Sequence, residues 1–539
     1  MRNILFVLVL LTGCTAKKDN VDFGNEEETA YRKYLKELAS DNFQGRKPFT
    51  EGEEITVNYL AKEFAALGAE PGNGESFFQD VPMVDIKGSF ADNKVTLKGS
   101  KGKISLEPLV DMVGGTRRVV TEQKIDNLPL VFAGFGIDAP EYNWNDYAGL
   151  DVKGKIAVVM INDPGFYNAD LFKGKDMTYY GRWTYKFEEA ARKGAAGVLI
   201  IHDTKPAAYD WSVVRSGWSK SKLFLQTPND NADFCALEGW LTGESAEKLF
   251  KLSGVNGTEL IENAKKPGFK AVSLGVSFTG TIKNEIKKSV SKNVIAQIPG
   301  TSRKDEYIIY TAHWDHFGIG ETVAGDSIYN GAADNATGVA ALLALAKKYK
   351  ENPPVERSVV FLAVTAEEAG LLGSDYYAKN PVFPLKKTVV DINMDVLQPF
   401  GKMKDVFLIG KGQSEVDKYL EDAAQKRGIT VRDVADKSNG WYYRSDHFSF
   451  AKVGVPTLYF EVGVQSEKHG EEWGIAQKAD YVKNRYHKPT DEYQDSWDVS
   501  GTMSDLQLIY EAGRNLANSD VFPKWNDGVM FKRIREEQK

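Results

Sequence analysis

From Asn293 onward, short apolar runs alternate with stretches whose apolar residues recur every three or four positions. The runs predict strands at residues 307–311, 359–364, 388–392, 406–409 and 457–460. The wider spacing predicts helices starting at Thr337, with a stripe of Val339, Leu342, Leu343 and Ala346, and at Ser504, with Leu506, Ile509, Gly513 and Leu516. Strands and helices in alternation give a mainly parallel α/β sheet covered by helices.

Upstream, Val57, Leu60, Phe64 and Leu67 form another helical stripe, ended by Gly68 and Pro71. A turn-rich segment, Phe43-Gln44-Gly45-Arg46-Lys47-Pro48, precedes it. Between residues 128 and 275 the texture changes: strands are predicted at 130–132, 156–161 and 197–201, and a helix at 186–193. Asp151-Val152-Lys153-Gly154-Lys155 before one strand, and Lys193-Gly194-Ala195-Ala196-Gly197 at another, resemble the protease-associated domain. That resemblance implies a smaller α/β unit, 128–275, inserted in a larger domain built from 31–127 and 276–539, with no catalytic residue of its own.

The amino terminus reads as an address. Met1-Arg2-Asn3 leads an apolar run, residues 4–11, too short to span a membrane, and Leu11-Thr12-Gly13-Cys14 gives way at once to polar residues. Leu-Thr-Gly-Cys resembles the lipobox of bacterial lipoproteins. The expectation is a signal peptide at 1–13, a lipid on Cys14, a polar tether at 14–30 and a location at the bacterial cell envelope. A lipidated Cys14 leaves Cys235, the only other cysteine, without a partner for a disulfide.

A chain of 539 residues is long for one core, so two or three domains are expected. The formal charge of −7 excludes a basic nucleic-acid-binding face and leaves room for carboxylate metal ligands. The residue types with chemistry fall at strand ends, where open α/β sheets build their sites. The strand at 307–311 runs into Ala312-His313-Trp314-Asp315-His316, that at 359–364 into Ala366-Glu367-Glu368, and that at 388–392 into Asn393-Met394-Asp395. Asn330-Gly331-Ala332-Ala333-Asp334-Asn335 is a small-residue loop ahead of a helix, and Arg485-Tyr486-His487-Lys488-Pro489-Thr490-Asp491 places a histidine in a loop. Imidazoles mixed with carboxylates suit zinc, and paired metals occur in aminopeptidases. Each group also has a plain structural reading: a buried histidine, a helix-capping Asp334, an acidic first helical turn at Glu367 and Glu368.

The order of these motifs resembles the di-zinc aminopeptidase family, which includes secreted bacterial aminopeptidases, glutamate carboxypeptidase II, glutaminyl cyclase and the inactive transferrin receptor. The likeness runs from about Asn293 to Asn518. It implies a zinc-exopeptidase fold, a mixed and mainly parallel sheet with helices, holding two zinc ions. By the family pattern His313 and Asp395 hold one zinc, Glu368 and His487 the other, and Asp334 bridges them. Asp315 then hydrogen-bonds His313, Glu367 is the general base, and Tyr443, in a segment similar to one near the family's substrate pocket, is the candidate hydroxyl donor to the oxyanion. His316 and His447 lie outside that ligand set and read as pocket groups. The family also implies a cis peptide between Asp334 and Asn335. The activity expected is removal of N-terminal residues from peptides. Glutaminyl cyclisation, glutamate-carboxypeptidase-like cleavage and a binding protein on an inactive fold remain as alternatives.

Overall fold

In a computed structural model, residues 22–538 are described; the lipobox, Cys14 and the signal-peptide reading lie outside them. The first described helix, Asn25–Leu38, starts inside the segment expected to be tether. Its polar texture is that of a first turn. Glu26, Glu27 and Glu28 sit at the positive end of the helix dipole, and the Gly24 NH donates to Glu27 Oε2 at 2.9 Å. Tyr31, Leu35 and Leu38 then bury one face. The helix Glu51–Ala66 buries Val57, Leu60 and Phe64 as expected, each contributing about 1.5–3 kcal/mol of apolar burial. Both helices pack into the same core as Thr337–Glu351 and Ser500–Ala517, far along the chain.

The strands predicted after residue 293 form a mixed sheet. Arg303–His313 lies parallel to Arg357–Val364 on one side and to Thr388–Asn393 on the other. Thr457–Val462 extends the parallel set beside Thr388–Asn393, Asp405–Ile409 follows antiparallel to it, and Thr430–Asp433 pairs with Asp405–Ile409 on the outside. Burial of all eight residues of Arg357–Val364 explains why its apolar run is continuous rather than alternating. Because the central strands are parallel, their carboxyl ends share one edge, and His313, Glu367, Glu368 and Asp395 all emerge there.

A second parallel set occupies the expected insert: Glu122–Phe132, Ile156–Met160, Gly197–Ile201 and Leu237–Leu241 pair in that order. The helix Trp183–Arg192 packs on it. Its apolar clusters are separate from that of the first sheet. The second core also takes in Phe90, Val95, Leu97, Leu106 and Met112, ahead of residue 128. The two sheets are joined by hydrogen bonds. The strand Val272–Ile298, 27 residues long, pairs with Glu122–Phe132 at its start, with Phe78–Phe90 along its middle and with Arg357–Val364 at its end. Sequence periodicity registers local burial, and one strand serving two cores carries both patterns without a break. Trp525 and Phe531, near the carboxyl terminus, also pack in the second core.

Candidate metal centre

Each expected ligand is delivered by a local device. His313 ends its strand, with its ring Nδ1 3.2 Å from the Asp315 carbonyl oxygen and Nε2 facing the site. Asp334 sits in the tight turn Ala332–Ala336, and the Asp334–Asn335 peptide is cis. Asp491 holds that turn: its carboxylate accepts the NH of Ala333 at 3.1 Å and of Asp334 at 3.0 Å. Ser445 Oγ donates to Asp395 Oδ2 at 2.7 Å and accepts from Asn393 Nδ2 at 2.7 Å, fixing that carboxylate. His487 takes a left-handed φ of 58° and stacks on Tyr486, ring centroids 3.7 Å apart.

The five groups converge. His313 Nε2 lies 3.3 Å from Asp334 Oδ1 and 3.3 Å from Asp395 Oδ1. His487 Nε2 lies 3.3 Å from Asp334 Oδ2 and 3.2 Å from Glu368 Oε2. The two oxygens of Asp334 are thus divided between two histidines. Two ligands bound about 2.0–2.1 Å from one tetrahedral zinc stand about 3.3–3.4 Å apart, so all four separations suit the edges of zinc polyhedra. The donor chemistry, two imidazoles and three carboxylates, fits as well.

His316 joins this cluster. Its side chain is buried, and Nδ1 lies 2.8 Å from Glu368 Oε1, out of hydrogen-bond alignment, so both atoms lack a hydrogen-bond partner. His316, Asp334 and Glu368 form a second triad of ligand-type atoms beside His313, Asp334 and Asp395. Gly331, at φ 54°, makes room for it, since a Cβ there would stand 2.5 Å from the His316 ring.

Two expected roles are corrected. The Asp315 carboxylate does not hydrogen-bond His313: its Oδ1 is 3.8 Å from Nδ1. It accepts instead the backbone NH of Glu367 at 3.0 Å and of Glu368 at 3.4 Å, orienting the acidic pair. Burial pushes Asp315 up to about 6 against the pull of His313 and those NH groups. Tyr443 packs among Tyr179, Tyr442 and Phe448 at the second core, so its ring serves packing there. Tyr486, Tyr459 and Tyr481 lie close enough to feel the site's carboxylates. An aromatic residue directly before His487 was the available signal for the first; Ser445 lies two residues after Tyr443 in the segment similar to one near the family's substrate pocket.

Glu367 is held well above the ordinary carboxylate range by burial and then by Asp395, Asp446 and Asp334, with His313 opposing. Glu368 is raised likewise, by burial and then by Asp334 and Glu367.

A mainly parallel sheet with a histidine–carboxylate cluster at its carboxyl edge, next to a smaller α/β unit, defines an α/β protein built to bind metal. Residues 293–510 match peptidase family M28, and residues 127–227 match the PA domain. Residues 293–510 are thus a peptidase M28 domain, with a PA domain at 127–227 ahead of them. It is 26% identical over 369 residues to aminopeptidase YwaD of Bacillus subtilis, covering 66% of this chain and 62% of that protein. It is 25% identical over 280 residues to a probable lipoprotein aminopeptidase, LpqL, of Mycobacterium tuberculosis, covering 49% of this chain and 51% of that protein. The chain thus spans between half and two thirds of the length of these relatives. Among solved structures, an aminopeptidase from Aneurinibacillus sp. strain AM-1 superposes with a TM-score of 0.45 at 21% identity, covering 91% of this chain and 93% of that one.

Proposed function

We propose that the chain is a zinc-dependent aminopeptidase that binds two zinc ions and hydrolyses peptides from the N-terminus. The observation that carries this reading is the sharing of Asp334: one oxygen 3.3 Å from His313, the other 3.3 Å from His487. On this reading His313 and Asp395 hold one ion, Glu368 and His487 the other, and Asp334 both. Zinc, when bound, lowers the pKa of a water towards neutrality and polarises the scissile carbonyl.

The residues of the chain supply the rest. Glu367, buried beside His313 and raised above the ordinary carboxylate range, takes the proton of the attacking water and returns it to the leaving amine. Asp315 keeps Glu367 and Glu368 in place through their backbone NH groups, so the neighbouring carboxylates divide base and ligand duties between them. Ser445 fixes Asp395, and Asp491 fixes the turn that presents Asp334. The relatives' names, aminopeptidase YwaD and probable lipoprotein aminopeptidase LpqL, support cleavage at the N-terminus. Attachment to the bacterial envelope through a lipid on Cys14 belongs to the same proposal, supported by Leu11-Thr12-Gly13-Cys14 and by the description of LpqL as a probable lipoprotein. Among the described residues no helix is long and apolar enough to cross a membrane.

Metal analysis of the purified chain, paired with peptides free or acetylated at the N-terminus and peptides with acidic C-termini, tests the reading. Two zinc ions per chain and turnover confined to free N-termini are expected. One ion with cyclisation of N-terminal glutamine, or release of C-terminal glutamate, would replace aminopeptidase with the matching alternative. Zinc bound without any turnover would leave a binding protein.

A further inference from the structure

Arg46 is fully buried, and its hydrogen bonds go to main-chain carbonyls. Nε donates to Trp314 O at 2.9 Å, Nη1 to Leu38 O at 2.8 Å and Asn330 O at 2.5 Å, and Nη2 to Gly331 O at 2.8 Å. Trp314 lies between His313 and Asp315; Asn330 and Gly331 lead into the turn that presents Asp334. One planar fork therefore joins the two loops whose relative position sets the Asp334–His313 separation, and ties both to the end of the helix Asn25–Leu38. The Arg46 carbonyl in turn accepts the NH of His316 at 3.3 Å. Asp491, Asp334, Asp315 and Glu368 all feel its charge.

The segment around Arg46 is shaped for this task. Gln44, Gly45 and Arg46 have φ of 50°, 65° and 52°, three left-handed residues in succession. A Cβ on Gly45 would stand 2.4 Å from Tyr329 O and 2.8 Å from the Gly318 Cα, so the turn lies directly on the chain that follows His316 and precedes Asn330. Non-glycine residues persist in that region when their surroundings over-determine them. Here the surroundings are the carbonyls Arg46 binds.

We propose that Arg46 is a positioning residue of the metal centre, which fixes the loops of His313 and Asp334 at the spacing both ions require. The proposal rests on the two-zinc reading above. It extends the site to a segment well upstream of residues 293–510. Lysine cannot replace it, because an ammonium offers three donors from one point whereas these carbonyls lie along a planar fork.

The test uses the full chain as Arg46→Lys and Arg46→Gln, with folding checked by circular dichroism and zinc affinity measured by competition with a chromogenic chelator. Both variants are expected to fold and to bind zinc about ten- to a hundredfold more weakly than the wild type, the range for partners that orient metal ligands. Arg46→Lys is expected to fall with Arg46→Gln, since charge alone does not restore the fork. Folded variants with zinc affinity within twofold of the wild type, differing only in a lower unfolding temperature of the zinc-free protein, would overturn the proposal. Failure of both variants to fold would overturn it too, by making Arg46 a requirement of the fold as a whole. A wild type that takes up no zinc would sink the two-zinc reading, and the proposal with it.

Discussion

His316 Nδ1 stands 2.8 Å from Glu368 Oε1, while His487 Nε2 stands 3.2 Å from Oε2 of the same carboxylate. Each oxygen of Glu368 thus has its own imidazole. His316→Ala removes the imidazole that stands against Oε1, so the carboxylate gains room to rotate. Zinc affinity is expected to fall about tenfold or more, with turnover recovering in excess zinc. Chelator competition and a zinc titration of peptide hydrolysis measure the two effects; unchanged affinity would show that His487 alone orients the carboxylate.

Glu367→Gln keeps shape and hydrogen bonding and removes the base. Turnover is expected to fall by about a hundredfold or more with zinc content unchanged. Glu368→Gln removes a charged ligand, so zinc content should fall and activity return when zinc is supplied. Metal content and hydrolysis of both variants decide the roles. Loss of zinc from Glu367→Gln alone would exchange them.

Asp315→Asn bears on the acidic pair from behind. One carboxylate accepts the NH groups of both Glu367 and Glu368, and an amide can accept only one of them. Losing a charge-assisted bond costs about 1.5–3 kcal/mol, so kcat/KM is expected to fall roughly ten- to a hundredfold. A drop of less than threefold would mean that other contacts hold the pair.

Asp505, buried in the helix Ser500–Ala517, gives a pH dependence of stability remote from the metal centre. Burial, with Asp405 adding, pushes it up to about 8 against Lys478. Its folded pKa lies above the unfolded value of about 3.9, so its neutral form supports the fold at low pH and that contribution is lost as pH rises through about 8. The unfolding temperature of the wild type should therefore decline from about pH 5 to about pH 8 and level off above it, and Asp505→Asn, which cannot ionise, should decline less. Parallel melting curves across that range for the two proteins would remove Asp505 as the cause.

The metal-type groups were legible because chemistry and pattern coincide in them: His313, Glu368 and Asp395 end apolar runs, and ends of parallel strands converge. Tyr443 misled because an aromatic cluster reads alike whether it lines a pocket or fills a core; only tertiary contacts put its ring against Tyr179 and Phe448. The Asp315 carboxylate was assigned the neighbour two residues away, whereas its true partners lie some 50 residues on, where adjacency along the chain gives no hint. Arg46 showed only as part of a turn, because its role consists of bonds to backbone carbonyls that leave no mark on residue identity. The start of the helix Asn25–Leu38, up to residue 30, passed for tether because acidic residues serve a first turn and a solvated segment equally.

The packing of the first two helices against Thr337–Glu351 sets a delay during synthesis. Ribosomes add about 5–20 residues per second, so Glu51–Ala66 emerges on the order of 15–55 s before Thr337 does. Through that interval the core that Val57, Leu60 and Phe64 fill lacks the helix Thr337–Glu351, while the PA segment between them is being completed. The nascent chain thus carries an incompletely covered apolar face at its leading end for about half of its translation. That gives a holding chaperone a specific target and makes this face, rather than the metal site, the place where a slowed ribosome or a missing chaperone would first cost the cell its yield of folded protein.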